Sequence, residues 1–208
     1  MQIAFERVIK RIRNTLVLDN ISLDMKPGTV YGFRGHNGSG KTMLMRMACG
    51  LIRTSEGMVT IDGKILGKDM DFPQKTGILI ENPAFYNEYT AAKNLSLIAG
   101  IQGLISDKEI KETLSYVGLN PDDKRIYKKF SLGMKQKLGI AAAVMEKPEL
   151  LVLDEPFNAL DQDGINMLTN LIVQEKERGA LIMLASHDSE HLLSLSDQVY
   201  TMENGRLI

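Results

Sequence analysis

The sequence predicts an α/β fold with a mostly parallel core sheet, an N-terminal antiparallel β-subdomain and an inserted helical subdomain. Three observations carry that expectation. Apolar runs of strand length alternate with segments of helical period, the pattern of a parallel sheet covered by helices. One such strand enters a helix through a glycine-rich turn at Gly35–Gly40. From about Thr90 to Met145 the strand runs stop and a period near 3.6 replaces them.

The elements follow in order. Residues 2–8 and 21–25 alternate apolar and polar, and Pro27-Gly28 turns the chain into a β-rich run at 29–33. A helix is expected over 41–49, stopped by Gly50. Residues 57–61 and 77–80 are further short strands. In the middle block, Leu95, Ile98 and Ala99 share one helical face, as do Ile110, Leu114 and Val117 before Gly118 and Pro121 break the pattern. A third helix should begin near Ser131, run through Leu138, Ala142 and Met145, and end before Pro148. A strand at 150–153, a helix at 162–177 and strands at 180–185 and 198–202 complete the chain. The expected division is a single domain over 1–208, with the core at 1–85 and 149–208 and the helical subdomain at 86–148.

Composition fits a folded globular chain. It has 208 residues, 44% hydrophobic and 25% charged, enough for a sizeable core without staples. The net charge of -1 provides no global basic field for nucleic acid or an anionic membrane. One cysteine, Cys49, forms no internal disulfide and is expected to be a small buried residue. The longest apolar stretch, near 138–145, is too short to span a bilayer. Lys10, Arg11 and Arg13 stand where a leader would carry its apolar region. Membrane-spanning, secreted and collagenous classes are therefore not expected. There is no tandem repeat, low-complexity linker or sustained heptad.

Gly35-His36-Asn37-Gly38-Ser39-Gly40-Lys41-Thr42 satisfies G-x-x-x-x-G-K-[ST] between an expected strand and an expected helix. Glycines let the backbone curl so that successive N–H groups face phosphate oxygens. The helix adds its positive dipole end. Lys41 supplies a point charge to the β- and γ-phosphates, and the Thr42 hydroxyl is a candidate Mg²⁺ ligand. His36 fills a variable position of the motif.

Leu150-Leu151-Val152-Leu153-Asp154-Glu155-Pro156 is an apolar strand ending in two acids. A central parallel strand is apolar on both faces and opens at its C-terminal end onto the ligand crevice. Asp154 there is the second candidate Mg²⁺ anchor. Glu155 is placed to polarise an attacking water. With the glycine-rich loop, these acids mark a P-loop nucleoside-triphosphatase.

Further motifs narrow the class. Phe130-Ser131-Leu132-Gly133-Met134-Lys135-Gln136 resembles the L-S-G-G-Q signature of ATP-binding cassette ATPases. Asn158-Ala159-Leu160-Asp161 stands where that family has its D-loop, and Ser186-His187-Asp188 resembles its switch histidine. Phosphate loop, signature, paired acids, D-loop and histidine occur in family order along the whole chain. The sequence is identified as a member of the ATP-binding cassette family. That resemblance implies ATP and Mg²⁺ as cofactors and two cassettes packed head to tail, as a homodimer or a paired cassette. It implies that Ser131 and Gly133 meet the γ-phosphate held by the other cassette, His187 the same phosphate from its own side, and Asp161 a link between the two sites. It also implies a polytopic membrane permease as partner and a peripheral location on the cytoplasmic face of the cell membrane. A nucleic-acid partner is not expected.

Three departures from the family pattern stand out. The strand before the helical block usually ends in a glutamine that contacts Mg²⁺ or water; here Ile80 is followed by Glu81, and a carboxylate is the stronger magnesium ligand. Glu81, together with the Ser-Leu-Gly-Met-Lys-Gln signature, resembles the bacitracin and lantibiotic export or self-protection branch. Leu132 replaces the first signature glycine and leaves Ser131 and Gly133 in place. Upstream of Val17, Arg11, Ile12 and Arg13 stand where the family places an adenine-stacking aromatic, so a guanidinium plane or a slack base pocket is expected.

Other residues invite simpler readings. The methionines fill core, and Lys124, Arg125, Lys128 and Lys129 form a solvated basic face. Phe85, Tyr86 and Tyr89 either grip a partner helix or pack locally. Many cassettes of this branch carry a further helical tail, so a chain ending at Ile208 is expected to be minimal or truncated. The alternative function is a soluble cassette acting on ribosomes, DNA or cluster assembly. A single cassette, no heptads and no basic field weigh against it, and co-purification with a polytopic membrane protein separates the two readings.

Overall fold

The computed structural model describes every residue except Asn82, Pro83 and Asp188. The elements are β1 (Ile3–Ile12), β2 (Thr15–Met25), β3 (Val30–Arg34), α1 (Lys41–Ala48), β4 (Glu56–Ile61), β5 (Lys64–Ile65), β6 (Thr76–Leu79), α2 (Ala91–Gln102), α3 (Asp107–Tyr116), α4 (Leu132–Val144), β7 (Leu150–Asp154), α5 (Gln162–Glu177), β8 (Leu181–Ala185), α6 (Ser189–Leu195), β9 (Gln198–Glu203) and β10 (Arg206–Leu207). They form two sheets. One is antiparallel, in the order β2-β1-β4-β5. The other runs β10-β9-β3-β8-β7-β6 and is parallel except for its β9–β10 edge.

The central strands β3, β7 and β8 are buried on both faces, which explains their apolar runs. Along β7, Leu150 and Val152 point into a core with Tyr31, Phe33, Met183, α1 and the antiparallel sheet. Leu151 and Leu153 point the other way, into a core with Ile182 and Leu184 and helices α2 to α5. One strand therefore belongs to two cores, and its acidic C-terminus emerges between them.

Helix starts follow capping chemistry. Thr90 caps α2 by accepting from Lys93 N, and Ser106 with Glu109 forms a full capping box on α3. Ser131 caps α4 and Asp161 caps α5.

The structure also differs from the sequence reading. β1 continues past residue 8 to Ile12, and β2 starts at Thr15, ahead of the expected 21. The far half of this hairpin carries half-buried Lys10 beside exposed Arg11 and Ile12, so its apolar alternation is lost. Backbone bonds hold it instead: Ser55 N–H donates to Ile9 O at 2.8 Å. Irregular pairing near Arg7, which sits at φ 47°, also breaks the period. α6 was not expected, because among its described burial positions only Leu192 is fully buried and seven residues carry too little periodicity.

Candidate active site

Residues 35–40 leave the end of β3 and enter α1. Gly35, Gly38 and Gly40 take φ values of 152°, 82° and 110°, which curl the loop around the start of the helix. A side-chain carbon on Gly38 would meet nothing within 4 Å, so the loop is open there. Lys41 is largely buried, and its Nζ donates to Gly35 O at 2.7 Å and His36 O at 3.3 Å. Ser39 is buried, and its Oγ has no hydrogen-bond partner among the described residues. His36 is exposed, with Nδ1 2.8 Å from Asn37 O.

The acidic end of β7 meets this loop. Thr42 Oγ1 donates to Asp154 Oδ2 at 2.6 Å. Burial pushes the Asp154 carboxyl above the usual carboxylate range; the Thr42 bond opposes this, and the charges of Glu155 and Glu81 add to it. Glu155 sits at φ 51°, which turns its side chain off the strand register. Its Oε2 lies 2.7 Å from His187 Nδ1 and accepts from His187 N–H at 3.2 Å. The end of β8 therefore delivers His187 to the end of β7.

A cavity of about 410 Å³ opens here. Residues 37–43 form one side, and Val17, Glu81, Gln136, Asp154, Glu155 and Asn158 complete it. The structure thus brings together Asn37, Gly38, Ser39, Gly40, Lys41, Thr42, Glu81, Asp154 and Glu155, with His187 joined through Glu155. Glu81 occupies the rim at φ 55°, and its Oε1 lies 2.9 Å from an Arg46 guanidinium nitrogen.

Ser131, Gly133 and Asp161 are not in the cavity lining. They belong to a junction between α4 and the segment after β7. Ser131 Oγ accepts from Met134 N–H at 3.2 Å. A side-chain carbon on Gly133 would lie 2.7 Å from Ala159 O, so only glycine allows this approach. Gln136 Nε2 donates to Pro156 O at 2.9 Å and to Glu155 O at 3.3 Å. Lys137 Nζ lies 3.4 Å from Asp161 Oδ1. The Gly164 N–H, followed by the Lys137 charge, holds the Asp161 carboxyl below the usual carboxylate range. Three successive contacts along one helix therefore fix the loop that carries Glu155 at one end and Asp161 at the other.

Gln136, Asn158, Val17 and Arg46 were not assigned to the site from sequence. The first two lie inside quoted motifs, and Arg46 lies four residues after Thr42, one turn along the same helix, a spacing that places the two on neighbouring surface. No aromatic lines the cavity, and neither do Arg11 or Arg13, which are exposed; Val17 is the lining residue from that hairpin. Of the three aromatics after Glu81, Phe85 packs edge-on against Tyr127 at 5.3 Å while Tyr86 and Tyr89 are exposed. Buried Asn94 holds their loop by accepting from Tyr86 N–H at 2.8 Å and donating to Tyr86 O and Tyr89 O. Lys124, Arg125, Lys128 and Lys129 are exposed, and Arg125 is paired with Asp123. Cys49 is buried, and its thiol is pushed up to about 12 by desolvation. Asp188, beside His187, lies outside the described residues.

Comparison with known proteins agrees with this geometry. The family model described as ABC transporter matches residues 18–158. An uncharacterized ABC transporter ATP-binding protein of Bacillus subtilis, YybJ, is 47% identical over 198 residues, covering 95% of this chain and 91% of the relative. The bacitracin transport ATP-binding protein BcrA of Bacillus licheniformis is 41% identical over 92% of this chain, which spans 63% of that relative's length. The lantibiotic transport ATP-binding protein SrtF of Streptococcus pyogenes is 36% identical over 92% of this chain and 82% of its own. A solved ATP-binding subunit of an ABC transporter superposes with a TM-score of 0.89 at 27% identity, over 100% of this chain and 88% of the other. No helix among the described residues is long and apolar enough to cross a membrane. On its motifs, its fold and these relatives together, the chain belongs to the ABC transporter family, as an ATP-binding subunit.

Proposed function

We propose that the chain hydrolyses ATP with Mg²⁺ as one of two head-to-tail cassettes that drive a polytopic membrane permease, and that the exported cargo is a peptide antibiotic or similar compound. The observation that carries the reading is the Thr42–Asp154 contact of 2.6 Å between the phosphate loop and the acidic strand end. Two hard oxygen donors at that spacing suit a small divalent cation. The buried Ser39 Oγ, without a partner among the described residues, and the open backbone at Gly38 suit phosphate oxygens. Bound there, Mg²⁺ supplies charge neutralisation and orientation for the transferred phosphoryl group.

The protein groups then have distinct tasks. Lys41 offers an ammonium to phosphate oxygens in place of the Gly35 and His36 carbonyls. Glu155 orients water and accepts its proton, the role for which a carboxylate at a cavity wall is fitted. The Glu155 contact at His187 Nδ1 fixes the imidazole, leaving Nε2 as the nitrogen not engaged by Glu155. Ser131 and Gly133, outside the chain's own cavity lining, serve the ATP of the second cassette; Asp161 lies at the same junction. In this reading 1–85 and 149–208 form the catalytic core, and 86–148 forms the signature subdomain. Exposed Tyr86 and Tyr89 offer a surface to the permease, which holds the chain on the cytoplasmic face of the membrane. The peptide-antibiotic cargo rests on relatives named for bacitracin and lantibiotic transport.

Glu81 is proposed as the substitute for the family glutamine at the metal site. Titrating Mg²⁺ in an ATPase assay tests this. Glu81→Ala should raise the half-saturating Mg²⁺ concentration by about 10- to 100-fold, the range for loss of a group that supports a metal site, and Glu81→Gln by less. Wild-type curves for both variants would remove Glu81 from the metal site. No Mg²⁺-dependent hydrolysis by the parent chain would overturn the proposed function.

A further inference from the structure

Glu81 adds a third carboxylate to a cavity that must hold a polyanion. Asp154 and Glu155 already line it, and Lys41 is the cation on the loop. A further negative charge on the cavity wall disfavours a triphosphate by like-charge repulsion. Arg46 stands where it offsets that charge. It projects from α1 one turn beyond Thr42, and its guanidinium lies 2.9 Å from Glu81 Oε1. Glu81 sits in the left-handed backbone region at φ 55°, a conformation costly for a side chain with a Cβ and held by its surroundings. The pair is too exposed to matter much for folding, with Glu81 at 61% and Arg46 at 33% side-chain exposure. Its effect belongs to the charge and direction of the Glu81 carboxylate.

We propose that Arg46 is a positioning residue that neutralises Glu81 and holds it at the cavity rim, so that an acidic side chain is compatible with triphosphate binding. Arg46 acts through Glu81 and not on the nucleotide. The inference rests on the cavity being a nucleotide site, but not on Glu81 binding Mg²⁺.

The test is equilibrium binding of a fluorescent ATP analogue in EDTA, with the full chain and four variants: Arg46→Met, Arg46→Lys, Glu81→Gln and the Arg46→Met/Glu81→Gln double. Arg46→Met should weaken binding by about fivefold, the upper range for an exposed ion pair, and Arg46→Lys should restore most of it. In the Glu81→Gln background the same Arg46→Met change should move affinity by less than about twofold, because its target has lost its charge. An equal loss in both backgrounds would show that Arg46 attracts the nucleotide directly and would overturn the proposal. So would unchanged affinity in Arg46→Met. If Arg46→Met no longer melts cooperatively, the exchange Arg46→Glu/Glu81→Arg replaces it. Affinity restored above that of Arg46→Glu alone supports the pair, and affinity no better than Arg46→Glu overturns it. Because the readout contains no Mg²⁺, a failed Glu81 metal titration leaves this result standing, whereas absent nucleotide binding in the parent chain overturns both.

Discussion

Glu155→Gln is expected to lower ATP hydrolysis by about 10²–10⁴-fold, the range for removal of a positioned general base, while ATP stays bound. The substituted amide keeps the size of the side chain and can still meet His187, whose Nδ1 lies 2.7 Å from Oε2 in the parent chain. It loses the charge and the capacity to take a proton. The loop geometry at Glu155 is set by backbone, including its N–H donating to Ala185 O at 2.9 Å and the Gln136 bond to its carbonyl, so the exchange leaves the fold intact. With hydrolysis blocked, two ATP molecules should remain between two chains. Gel filtration at saturating ATP should show a dimer that the parent chain does not accumulate. A persistent monomer, or hydrolysis at the parent rate, would contradict the paired-site mechanism.

Gly77→Ala should be strongly destabilising for a single-methyl change. Gly77 lies in β6, where it pairs with Leu151 of β7, and the last turn of α4 crosses directly over it. An added Cβ would stand 1.8 Å from Ala143 O and 2.9 Å from a Pro148 ring carbon. A helix carbonyl cannot rotate aside as a side chain does, so the whole helix must lift. Overpacking of this kind costs about 3 kcal/mol or more, which in a chain of this size lowers Tm by roughly 6–12 °C. Because α4 also carries Ser131 and Gly133 at its far end, the same lift displaces the signature segment. Thermal melts followed by circular dichroism test this; an unchanged Tm would show that α4 does not seat on β6 as described.

Where local chemistry and tertiary demand agree, the elements were legible. α5 was expected over 162–177 and is found there, because Asp161 caps it and Leu168, Leu171 and Ile172 bury one face. β7 announced itself as an apolar run because both of its faces are buried. The hairpin ends of β1 and β2 were hidden because apolar residues there sit side by side, as at Val8-Ile9 and Leu16-Val17-Leu18, and the pairing shifts register between Phe5 and Arg11, so no clean period of two survives. The candidate site was legible as motifs but not as partnerships. The sequence placed Thr42 and Asp154 as separate metal candidates, and only the fold puts them in hydrogen-bond contact. It offered no reason to join Arg46 to Glu81, because a turn of α1 and the end of β6 become neighbours only after the sheet has formed. The α4 contacts to Pro156 and Asp161 were invisible for the same reason.

In the proposed mechanism one chain supplies the phosphate loop and another the signature for each ATP. Mixing two inactive variants tests it most directly. Lys41→Ala removes the loop charge, and Ser131→Arg blocks the signature. Each alone should hydrolyse almost no ATP. An equimolar mixture should recover hydrolysis well above either, because pairing one of each leaves one intact composite site. A mixture as inactive as its components, with both variants folded by thermal melt, would rule out the shared-site mechanism.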